Sequence, residues 1–133
     1  MTELLQSRII SVQIANSPRS VYEYAMNPGN FPEWTSSFSR SVRQTGGEWI
    51  VETPDGPMAV AFAAPNEWGI LDHHVRLASG QKLFNPMRVI PNGEGCEVHF
   101  TLFRQPDMSD QKFAEDAGMV QRDLESLKSR MEA

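Results

Sequence analysis

Asp72, His73 and His74 stand side by side within an apolar run, G-I-L-D-H-H-V-R-L at 69–77. Carboxylates and imidazoles are the groups that move protons and hold metal ions. His99 is the third imidazole of the chain and Cys96 its single thiol. A zinc site needs three or four converging donors, steadied by further hydrogen bonds. Asp72 and His74 share one face of a strand and His99 falls on the same side. An open convex sheet face does not gather them into such a site, so no metal is expected. A catalytic imidazole needs a partner to orient it or share its proton. No inward carboxylate accompanies His73, and no residue is assigned a catalytic role. Cys96 has no basic neighbour to favour its thiolate and reads as an inert buried thiol. Glycine-rich phosphate loops, CxxC pairs and nucleophile elbows do not occur, and no cofactor is expected.

What these residues can reach depends on how their strand is faced. Side chains alternate along a strand. Leu71, His73, Val75 and Leu77 form the more apolar set and should point inward; Ile70, Asp72, His74 and Arg76 should point out. With turns at Ser79-Gly80 and Asn92-Gly93, His73 falls opposite Met87, which falls opposite Val98. The outer row is then Asp72, Arg88, Glu97. Each opposite-charge pair contributes only about 0.2–1 kcal/mol. A one-residue slip would bury three charges at several kcal/mol each, which decides the faces. An inward His73 without a partner would cost about 1–3 kcal/mol, and Asn85 on the next strand is the candidate partner. Around this pair, Trp34, Trp49, Phe38, Met58, Phe62, Met87 and Phe100 read individually as core. As a group they describe a pocket with apolar walls and few polar groups, in which methionines adapt to irregular shapes. Arg8 and Arg104 fall at strand ends near its rim, and Trp68 precedes the Gly69 turn, at a sheet edge or the pocket mouth.

The elements that must position these groups follow from periodicity. Residues 8–15 alternate, with Ile10, Val12 and Ile14 on one face. Ser17 and Pro18 open a helix carrying Val21, Tyr22, Ala25 and Met26, which Asn27-Pro28-Gly29-Asn30 ends. Short strands follow: a weak one at 37–44 with Phe38 and Val42 inward, then 47–53, 58–64, 69–77, 82–90 and 96–104. Turns fall at Asp55-Gly56-Pro57, Pro65-Asn66-Glu67, Ser79-Gly80 and Asn92 to Gly95. The last element is a long helix capped by Ser109 or Asp110. Its stripe is Phe113, Ala117, Val120, Leu124, Leu127 and Met131; Glu115, Arg122, Glu125 and Lys128 should be wet.

A chain of 133 residues suits one domain, 1–133, with a core of its own. With no apolar run near the roughly 18 residues of a membrane span, no insertion is expected. The start lacks a basic end followed by a long apolar stretch, so no secretory leader is expected. One cysteine allows no internal disulfide, and the cytoplasm is the expected compartment. A net charge of −5 argues against nucleic acid as a partner.

The segment Y-E-Y-A-M-N-P-G-N-F-P-E-W at 22–34, after an N-terminal strand, resembles the helix-to-tryptophan segment of the START/Bet v 1-like (SRPBCC) superfamily. That superfamily includes bacterial polyketide cyclase/dehydrase-like proteins. The closing hairpin and terminal helix are similar too. The resemblance implies an α+β helix-grip fold: a curved antiparallel sheet of about seven strands around a long C-terminal helix, with a hydrophobic ligand cavity between. It implies binding of a lipid, polyketide or aromatic molecule. Its strand chemistry varies among members, so no catalytic residue is carried over. Two other functions stand beside binding. One is a cyclase or dehydratase in which His73, Asn85 and an aromatic wall guide ring closure or water loss. The other is an interaction module with a filled cavity, working through sheet edges or a helix patch as a homodimer.

Overall fold

The computed structural model describes residues 4–35 and 39–133. Phe38, expected to face inward, lies outside the described residues. β1 (Ser7–Ile14) buries Ile10 and Ile14. Ser17 caps α1 (Pro18–Ala25) by accepting the Ser20 N–H, and Pro18 starts it with a preset φ. Asn27 caps a 3-10 turn at Pro28–Asn30, which leads into the four-residue α2 (Phe31–Trp34); both of its aromatics are buried. Then come β2 (Ser41–Thr45), β3 (Glu48–Thr53), β4 (Gly56–Phe62), β5 (His73–Arg76), β6 (Lys82–Asn85), β7 (Met87–Asn92) and β8 (Gly95–Phe103), and α3 (Asp110–Glu132) closes the chain. All neighbouring strands are antiparallel. β2-β3-β4-β5-β6 form one sheet and β1-β8-β7 a second.

The expected seven strands are eight, because one of them is cut. Pro86 divides 82–90: it has no N–H to give a ladder. Its carbonyl accepts the Thr101 N–H of β8 instead, at 2.9 Å. The stretch 69–77 bends at the same line. Gly69 and Leu71 pair with β7 through Val89 N–H to Gly69 O and Leu71 N–H to Met87 O, both 2.9 Å. From His73 onward the chain pairs with β4 and β6. Only glycine fits at 69, where φ is +74° and a Cβ would lie 2.3 Å from Val89 O.

Three local expectations are corrected. The β3–β4 turn is Pro54-Asp55, and Gly56 already belongs to β4, opposite Thr53. His73 lies opposite Asn85 rather than Met87, since β5 stops at Arg76 and a longer turn follows. Met87 lies opposite Phe100 rather than Val98, because β7 runs on through Pro91 to Asn92 and only Gly93-Glu94 turn. Both register shifts, of His73 and of Met87, are by two residues, so the faces are kept.

α3 starts at Ser109, whose Oγ accepts the Lys112 N–H. Phe113, Ala117, Leu124 and Leu127 are buried, and Val120 and Met131 partly so. Both ends of the helix are tied to strand termini. Lys128 Nζ donates to Gln13 O and Asn16 Nδ2 to Met131 O. At the other end Arg104 donates to Met108 O and pairs with Asp110. Between these ties the bent sheet falls away from the helix.

Candidate functional site

The space between sheet and helix is a cavity of about 800 Å³, within the size range of small-molecule sites. Its walls are mostly apolar: Met58, Val60 and Phe62 on β4, Val75 on β5, Leu83 on β6, Phe100 and Leu102 on β8, and Met119, Val120 and Leu124 on α3. An interior filled by side chains would leave no such volume.

One polar pair sits in the sheet wall. The His73 ring lies between Phe62, with centroids 4.9 Å apart, and Phe100, at 5.9 Å. Phe31 continues this row at 5.7 Å from Phe62, and Trp34 stands edge-on to Phe31 at 5.9 Å. His73 Nδ1 is 2.9 Å from Leu71 O. A carbonyl can only accept, so Nδ1 carries the proton and Nε2 is the acceptor. Asn85 Nδ2 reaches that Nε2 at 3.4 Å. Burial pushes the His73 pKa below the ordinary imidazole value, against the raising pull of the Leu71 carbonyl and of Asp72. The ring is therefore neutral at physiological pH.

Seven of the eight site residues named from sequence border this one space: His73, Asn85, Trp34, Met58, Phe62, Met87 and Phe100. Trp49 does not. It lies on β3, opposite Gln44 and Val60, one strand further from the helix than the cavity wall. Arg104 is spent on Asp110 and Met108, Arg8 is exposed on β1, and Trp68 is 71% exposed. Cys96 is buried, and burial raises its thiol pKa.

Polar groups on the helix side were not foreseen. Asp123 is buried and borders the cavity, as do Asp116 and Lys112, paired at 3.0 Å. An inward carboxylate is thus present after all, contrary to the reading from sequence. Asp116 and Asp123 are seven residues apart, hence on one helix face with Val120 and Leu124; that spacing was the available signal. The charge of Asp72 raises the His73 pKa and that of His74 lowers it. Thr35 adds a polar wall group whose hydroxyl donates to Phe31 O at 2.9 Å and lies 2.6 Å from Ser39 Oγ.

On the outer face, Asp72 does meet Arg88, through Oδ1 at 3.1 Å and Oδ2 at 3.0 Å. Arg88 holds the Asp72 carboxyl below the usual range, helped by the Met87 N–H and opposed by burial. Glu97 is not opposite Arg88. It pairs with His99, 2.9 Å away, and Arg88 faces His99. His74 stacks on Phe84. Among the described residues no three His, Cys, Asp or Glu side chains are grouped to hold a metal.

No known family profile matches the sequence, and no curated protein matches it. Solved structures do match. The Aha1 dimer from Colwellia psychrerythraea superposes with a TM-score of 0.77 at 13% identity, over 96% of this chain and 97% of that one. A START superfamily protein from Mycobacterium smegmatis gives 0.72 at 12%, over 95% and 97%. Ara h 8.0201 gives 0.73 at 11%, over 96% and 98%. The chain has the START/Bet v 1-like helix-grip fold. Among the described residues no helix is long and apolar enough to cross a membrane.

Proposed function

We propose that the protein binds a small, largely hydrophobic molecule between the sheet and α3, as a carrier or sensor. The observation that carries this reading is a space of about 800 Å³ with mostly apolar walls and a His73–Asn85 pair set among aromatic rings. Emptying such walls of water favours any apolar guest by roughly 25 cal/mol per Å², and His73 with Asn85 would fix its orientation. Trp34, Met58, Phe62, Met87 and Phe100 would supply the contact surface. The geometry favours binding over ring closure or dehydration. Nδ1 of His73 is committed to a backbone carbonyl rather than to a carboxylate, and a neutral imidazole held that way is a weak proton donor.

The test is native mass spectrometry after mild purification, followed by titration with an apolar fluorescent probe. A copurifying small molecule, or saturable probe binding abolished by Phe62→Asp in a folded variant, is the expected result. A well-folded protein that takes up neither would end this reading.

A further inference from the structure

The charges bordering the cavity narrow the class of guest. Four carboxylates border it, Asp55, Asp107, Asp116 and Asp123, against the single ammonium of Lys112. Lys112 is already paired with Asp116 and sits near Asp55. No arginine lines the space among the described residues, and Arg104 at the same end is neutralised by Asp110. The polar pair deeper in adds no cation, because His73 is neutral and accepts at Nε2. The chain as a whole, these groups included, carries a net charge of −5.

An anionic guest therefore meets repulsion at the mouth and, among the described residues, finds no free cation within. A protonated amine meets the opposite. Oriented charge in a cleft with low-dielectric walls focuses the field and raises the local concentration of the matching ion. We infer that the cavity takes an amphiphile with an apolar body and a cationic amine end, and discriminates against organic anions such as fatty acids. The inference rests on the binding function proposed above and names the charge of its ligand.

Three probes with one tail separate the possibilities: decylamine, decanol and decanoate, titrated calorimetrically below their micelle-forming concentrations. The amine should bind at least about tenfold more tightly than decanoate at low ionic strength, with decanol between them. Added salt should narrow the gap, since Asp55 and Asp107 are exposed. The Asp55→Asn, Asp107→Asn double variant changes only exposed side chains, so it should fold normally and lose several-fold of the preference. Equal or tighter binding of decanoate, with decanol bound, overturns the charge selectivity and leaves the hydrophobic cavity standing. Failure of all three to bind overturns both.

Discussion

At the scale of single residues, His73 couples the polar wall to folding. The folded state holds the imidazole neutral through burial, whereas the unfolded chain takes up a proton near the ordinary value of about 6.5. Below that pH the unfolded state binds more protons than the folded one, so stability falls as pH falls. The carboxylates with lowered pKa values, Asp72, Glu97 and Glu132, act lower, as the pH drops through the carboxylate range. The two windows are separable. A melting profile taken from neutral pH down to about 5 should decline for the native chain and be flatter for His73→Gln. Glutamine keeps a donor and an acceptor but does not titrate. A parallel decline in both would remove His73 as the cause. The inward direction of this histidine and its pairing with Asn85 were legible from strand alternation and from the cost of burying an unpartnered ring. Asp123 was not, because an apolar helix stripe assigns every polar neighbour to water. That rule fails where a helix faces a void instead of packed side chains.

At the scale of elements, the main device is the fold line through Asp72 and Pro86. There the chain passes twice from one sheet to the other. Pro86 leaves the ladder without a donor, and the neighbouring Met87 N–H turns to Asp72 Oδ1, 2.8 Å away. Asp72 thus does for a broken strand what an N-cap does for a helix, satisfying a backbone donor that has lost its regular partner. Replacing it by alanine should cost about 1–3 kcal/mol in chemical denaturation, mostly from the orphaned N–H. The half-exposed Arg88 contributes less. Asp72→Asn should leave ligand affinity nearly intact, since the side chain faces away from the cavity. A tenfold loss, about 1.4 kcal/mol, would contradict that placement. The cut at Pro86 had a signal in sequence: proline inside a strand demotes it to an edge or a break. The apolar alternation of 82–90 concealed it. Alternation reports which face a residue takes and is blind to which sheet it belongs to. The same blindness explains why the registers of 69–77 and 82–90 were off by two while the inward and outward faces of their described strands were kept.

At the scale of the whole molecule, sheet curvature and a helix tied at both ends leave a cavity that a filled core would not contain. Side chains bordering a cavity lose dispersion contacts on one side, which a ligand, or a larger side chain, can recover. Val75 tests this. It is buried at the centre of β5, opposite Val60 and Leu83, and all three border the cavity. In a packed core Val75→Phe would strain its surroundings by about 1–3 kcal/mol. Here the ring has open space ahead of it. The variant should melt at or above the native temperature while probe binding falls, the exchange of function for stability seen when a binding site is filled. Thermal unfolding and probe titration on the same preparation read both sides. A marked drop in melting temperature would mean that the sheet and helix already fill the space at Val75, and the pocket would have to be confined to the mouth, where Asp55 and Lys112 stand.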